Sequence, residues 1–187
     1  MAAFDAETRE RRHDGAPLPP AERIQELLFE AARLGRDDVI PALLQAGADI
    51  EGCDGRGHSP LVLASYHGHE STTALLLSFG ARPDGRDDPT GSGSALMGVA
   101  FKGNCAIAQM LLEAGADPQH RNAAGQTALM MAALFDRRPI VTLLLEAGAE
   151  LAAQDAAGND AASVAQAQGN EELAKLLRPI VQNGEQA

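Results

Sequence analysis

His67 and His69 stand two residues apart, and paired imidazoles are a frequent start to a metal site. Gly68 between them reads as a helix break, which is poor ligand geometry. No Cys or acidic cluster nearby completes a coordination shell, so no metal is expected. The run Thr90-Gly91-Ser92-Gly93-Ser94 precedes a helix and has the composition of a phosphate cradle. A cradle also needs a buried strand before it and a Lys after it. Here Ala95-Leu96 follows, so the run reads as a flexible finger or an adaptable contact loop. For nucleophilic catalysis the serines fall at helix caps, the cysteines lack a paired His, and no nucleophile elbow occurs. The expectation is therefore no catalytic residues, no cofactor and no enzyme.

Composition narrows the partners. The formal net charge of −11 repels a phosphate backbone, which argues against nucleic acid. Arg11-Arg12 and Arg137-Arg138 are too short to count as basic runs. No apolar run reaches membrane-span length, and the acidic start lacks the apolar segment of a signal peptide. Two cysteines, Cys53 and Cys105, are too few for a disulfide scaffold. The expected location is the cytoplasm. Only two Lys stand against 13 Arg, with abundant Ala and Gly, a composition that correlates with GC-rich bacterial genomes.

These residues sit on a repeat. Gly35, Gly68, Gly103, Asp136 and Gly169 recur at intervals of 33, 35, 33 and 33 residues. Twelve residues after each of the first four comes Gly47, Gly80, Gly115 or Gly148, each followed by Ala and preceded by a Leu pair. A fixed period near 33 signals stacked copies of one supersecondary unit. In the second unit, Asp54-Gly-Arg-Gly57 supplies a turn, Ser59 an N-cap and Pro60 a first helical residue. Leu61, Ala64 and Ser65 form a narrow apolar stripe, repeated by Leu96, Val99 and Ala100 and by Leu129, Ala132 and Ala133. Pro41 falls inside the second helix of the first unit and predicts a local distortion there, whereas Pro139 fits a first turn. The loop before the third unit is two residues longer than its counterparts, at little entropic cost.

The chain divides into a disordered arm (1–20), a repeat domain (21–180) and a short tail (181–187). The repeat units span about 21–50, 51–83, 84–118, 119–151 and 152–180. The fifth is degenerate, with Ala162 and Gln166 in apolar slots, as suits a terminal repeat with a polar outer face.

The pattern resembles ankyrin repeats. Asp54, Gly57, Ser59, Pro60, Leu61, Ala64, Gly68 and His69 match the family motif in the second unit. Asn122, Gly125, Thr127, Leu129, Ala132 and Ala133 match it in the fourth. The resemblance implies an all-α solenoid of about five helix–turn–helix repeats, with short β-hairpin fingers and protein binding on a concave face. The family His after the Leu is replaced by Val62, Met97 and Met130, so the hydrogen bonding between repeats expected from it gives way to apolar packing. The Ala-Leu-Met variant resembles bacterial ankyrin proteins, some encoded beside stress enzymes, which makes such an enzyme one implied partner.

On that architecture the two residues before each marker face outward on the concave side. They are Arg33-Leu34, Tyr66-His67, Phe101-Lys102, Leu134-Phe135 and Ala167-Gln168. Three of the chain's six aromatic residues lie there, and exposed aromatics in adjacent repeats mark partner sites. Leu63 and Met131, one turn earlier, extend the surface. Arg56, His58, His120, Arg121 and Gln126 on the fingers form its rim. The expected function is a non-enzymatic, monomeric protein-binding module. The alternative is a scaffold that self-associates through the same stripe.

Overall fold

A computed structural model describes residues 19–85 and 93–178. Residues 1–18 of the expected N-terminal arm, the C-terminal tail and most of the Gly/Ser run fall outside the described residues. The chain forms two compact units divided between Arg82 and Pro83. The first holds α1 (Ala21–Leu34), α2 (Ile40–Gln45), α3 (Pro60–His67) and α4 (Glu70–Ser78). The second holds α5 (Ala95–Lys102), α6 (Cys105–Glu113), α7 (Ala128–Leu134), α8 (Arg138–Glu146), α9 (Ala161–Ala167) and α10 (Glu171–Leu177). Among the described residues the secondary structure is all helical, as a helical solenoid requires.

One polar residue starts the first helix of each later pair. Ser59 Oγ accepts from the Val62 N–H (3.3 Å), Ser94 Oγ from Met97 (3.4 Å), Thr127 Oγ1 from Met130 (3.4 Å) and Asp160 Oδ1 from Ser163 (2.7 Å). Each satisfies an amide that the helix itself leaves unpaired. The marker residues end these helices. Gly35, Gly68, Gly103 and Gly169 all have positive φ, and Asp136 is the only non-glycine among the described residues to do so (φ 51°). The left-handed turn lets the next N–H reach back to a carbonyl five residues earlier: Arg36 to Ala31, His69 to Ala64, Arg137 to Ala132 and Asn170 to Ala165. The second helices close in the same way. The Ala after each closing Gly donates five residues back, from Ala48 to Leu43, Ala81 to Leu76, Ala116 to Leu111 and Ala149 to Leu144. This accounts for the recurrent Leu-Leu-x-x-Gly-Ala pattern.

Burial follows the expected stripes. Leu61, Ala64 and Ser65, Leu96, Val99 and Ala100, and Leu129, Ala132 and Ala133 are all buried. In unit 1, α1 packs on α3; in unit 2, α7 packs between α5 and α9, and α6 packs on α8. The small residues of each stripe let these helices approach closely. Met97 and Met130 are buried and Val62 half-buried, so the slot after the Leu holds apolar side chains. Pro41 acts by delaying its helix. Residues 36–39 are turn or irregular, and α2 starts at Ile40 with six residues where α4, α6 and α8 each have nine.

The expected β-hairpin fingers differ in kind. No strand occurs among the described residues. The finger tips are tight turns braced by one side chain: Asp54 Oδ1 accepts from the Arg56 and His58 N–H groups, Asn122 Oδ1 from Ala124 and Gln126, and Asp155 Oδ1 from Ala157 and Asn159. The side chain takes amides that a strand ladder would otherwise use.

Candidate functional site

In unit 1 the finger, the end of α1 and the outer side of α3 enclose an open groove of about 840 Å³. Five of the expected site residues meet there: Leu63, Tyr66 and His67 from α3, and Arg56 and His58 from the finger. The helix supplies the apolar side. Leu63 is buried except for its edge on the groove, and Tyr66 is 37% exposed. The finger supplies the charge. Arg33 Nη2 donates to Asp54 Oδ2 at 2.6 Å, and His58 Nδ1 lies 3.7 Å from Asp54 Oδ1. Burial pushes the Asp54 carboxyl up, but the His58 and Arg56 amides and the Arg33 guanidinium together outweigh it and hold the group below its usual range.

The His67 and His69 rings stack with centroids 6.3 Å apart. His69 is committed to the fold: its Nε2 bonds the Arg33 carbonyl oxygen at 2.8 Å, and its Nδ1 side packs against Gly35. Among the described residues no group of three or more His, Cys, Asp or Glu side chains converges on a metal-sized site. Cys53 and Cys105 form no disulfide.

Unit 2 carries a second groove of about 240 Å³. Met131, Leu134 and Gln126 line one wall, and Val164, Ala167 and Gln168 of the next helix pair line the other. Phe101 and Phe135 form an edge-to-face pair with ring centroids 4.4 Å apart. Such a pair contributes about 0.5–1.5 kcal/mol beyond its buried area. Phe135 is 39% exposed, Phe101 is half-buried and Lys102 is exposed.

Two expected rim residues make contacts within the fold. Arg121 Nη1 donates to the carbonyls of Gly125 (3.1 Å) and Gln154 (2.6 Å), tying its finger to the next. His120 is half-buried beside Asp84. Gln126 lines the second groove while its Oε1 accepts from Asn122 Nδ2 at 2.9 Å. Arg33, one of the two residues before the first marker, also lines the groove, and its partner Asp54, which reads from sequence only as a turn residue, lines it too.

Comparison with known proteins gives the family. The family model "Ankyrin repeats (3 copies)" matches residues 27–122 and again 96–185. A zebrafish (Danio rerio) protein, ankyrin repeat and SAM domain-containing protein 6, is 35% identical over 127 residues, covering 55% of this chain and 17% of the relative. An ankyrin repeat-containing protein of Treponema pallidum is 41% identical over 95 residues, covering 51% and 32%. The tyrosine-protein kinase HTK16 of Hydra vulgaris is 30% identical over 93 residues, covering 50% and 12%. The matched stretch is thus less than a third of each of these relatives, and bacterial and animal proteins match comparably.

Proposed function

The chain belongs to the ankyrin-repeat family, and from that premise we propose that it is a non-enzymatic module whose five repeats bind one protein partner through their concave, groove-bearing sides. Ankyrin repeats typically mediate protein–protein interaction, and no helix among the described residues is long and apolar enough to cross a membrane. The observation that carries the reading is the convergence of residues just before the left-handed markers. Tyr66 and His67 line the unit 1 groove, and Leu134, Ala167 and Gln168 line the unit 2 groove. Apolar helix positions beside polar finger positions supply both halves of a protein-recognition surface. The net charge of −11 disfavours a nucleic-acid partner, and the two unbridged thiols suit a reducing cytoplasm. The Ala-Leu-Met variant favours a bacterial source and a stress enzyme as the partner regulated or stabilised.

The test is capture of a partner from the source organism's lysate by wild type and by the Tyr66/Phe101/Phe135→Ala variant, with folding checked by circular dichroism. A partner held only by wild type supports the reading. Equal capture by both moves the site elsewhere on the chain. The exposed ring of Phe135 also favours a second reading, self-association. Light scattering after size exclusion decides it: a concentration-dependent dimer lost on Phe135→Ala makes the chain a scaffold.

A further inference from the structure

We infer that the unit 1 groove binds an acidic peptide segment, one carrying an aspartate or glutamate beside an apolar residue. The inference rests on the protein-binding reading above and specifies its partner's chemistry. The groove runs against the charge of the molecule. The chain as a whole is at −11, yet the groove is lined by two guanidiniums (Arg33, Arg56), two imidazoles (His58, His67) and a single carboxylate, Asp54.

That carboxylate is already answered from inside the protein. Oδ1 accepts the Arg56 and His58 amides at 2.9 and 3.0 Å, and Oδ2 accepts Arg33 at 2.6 Å. The guanidiniums are not saturated in return. Arg33 makes one hydrogen bond with its side chain, and the Arg56 side chain is exposed and makes no ion pair among the described residues. Guanidinium N–H groups meet carboxylates in strong, often bidentate, charge-assisted bonds.

The opposite wall is apolar, formed by Val62, Leu63 and the ring of Tyr66. A ligand that satisfies both walls carries an acid on one side and an apolar side chain on the other. A groove of about 840 Å³ has room for several side chains. A nucleic acid shares the anionic chemistry but extends past the groove over a surface of the same sign. A short peptide is held within roughly 8 Å of the arginines, inside one screening length at physiological salt.

The test uses the full chain, wild type and Arg56→Glu, immobilised and panned with a phage-displayed random-peptide library. The expected result is a wild-type pool at least about twofold richer in Asp and Glu than the naive library. That excess should vanish on Arg56→Glu, and on the milder Arg56→Gln should fall by an intermediate amount. The most enriched peptide, fluorescein-labelled, should bind roughly tenfold more weakly to Arg56→Glu and weaken with added salt. Enriched peptides without acidic excess, bound equally by the variants, overturn the acidic preference and leave the groove-binding reading standing. No enrichment over a blank support overturns both for this groove. Tighter, Arg56-dependent binding of a single-stranded oligothymidine than of any selected peptide overturns the inference in favour of nucleic acid.

Discussion

His69 Nε2 lies 2.8 Å from the carbonyl oxygen of Arg33, 36 residues earlier, with its ring pressed onto Gly35. The bond requires the hydrogen on Nε2, so the ring donates to an α1 carbonyl near the helix end. A Cβ on Gly35 would sit 2.7 Å from Nδ1, and Gly35 has φ +68°. Gly35→Ala therefore combines left-handed strain with loss of the His69 bond, together about 2–3 kcal/mol. Gly47→Ala, at φ +99° with nothing within 4 Å of the added carbon, should cost only about 1 kcal/mol, from strain. Urea midpoints for the two variants isolate the contact between repeats. Equal losses would show that His69 yields without cost.

Arg137 repeats the relationship in unit 2. Its Nε donates to the Phe101 carbonyl at 3.3 Å, again 36 residues back, and its Cδ lies 3.0 Å from where a Gly103 Cβ would be. One slot thus holds an imidazole in one unit and a guanidinium in the other, and both donate to the preceding repeat's helix while covering its marker glycine. His69→Arg should then stay within about 0.5 kcal/mol of wild type, whereas His69→Ala leaves a carbonyl underused and costs about 1–2 kcal/mol. Thermal melts of the pair check this. An arginine variant as unstable as the alanine variant would refute the equivalence.

The helix pairs were legible because their signals are local. Ser59, Ser94, Thr127 and Asp160 cap, the marker glycines break, and Leu61, Leu96 and Leu129 fill one buried slot. Bonds between repeats were not legible, because the slot is kept while the residue type changes. His69 and Arg137 show this, and so does the acceptor four residues after each of the first three closing glycines. Glu51, Asp84 and Gln119 there receive the amides of Arg82, Asp117 and Glu150. Strands were expected in the fingers because the family has them, but an Asx brace takes the amides that a ladder would use. Tyr66 and His67 line the unit 1 groove and Leu134 the unit 2 groove, each at a position that the repeat spacing singles out. Arg121 bonds two neighbouring carbonyls, a contact that the sequence does not signal, since a long basic side chain on a finger reads the same whether it reaches a ligand or a neighbouring carbonyl.

Asp136 holds φ 51° where the other repeats use glycine. Aspartate tolerates this region better than most residues, and its carboxylate pairs with Arg138 Nε at 2.9 Å on the exposed surface. Asp136→Gly relieves strain, loses a weak ion pair and adds freedom to the unfolded chain, terms of similar size and opposite sign. Its stability should stay within about 0.5 kcal/mol of wild type. Asp136→Val puts a β-branched side chain in the same conformation and should cost about 2 kcal/mol. Denaturant melts read both. A valine variant as stable as wild type would mean that the turn can relax.

Asp84 is the acceptor in this series that the fold serves least well. Its Oδ2 accepts the Asp117 amide at 2.9 Å, while its Oδ1 is buried without a hydrogen-bond partner among the described residues. Burial is the largest influence and pushes the carboxyl up; the Asp117 amide and the charge of nearby His120 offset this only in part. The sign follows. A folded value above the unfolded one means that the charged form penalises folding at neutral pH, and the penalty fades as pH falls through the folded value. Asp54 and Asp160 are held down and act oppositely, losing stability as pH falls through their folded values. Gln119 shows how the slot is satisfied without charge: Oε1 accepts the Glu150 amide and Nε2 donates to the Gly148 carbonyl at 2.7 Å. Asp84→Gln should therefore raise stability near pH 7 by about 1 kcal/mol, with the gain shrinking from there into the acid range as wild-type Asp84 protonates. Melting temperatures across that range decide it. A gain that stays constant with pH would mean that packing, not the buried charge, sets the difference.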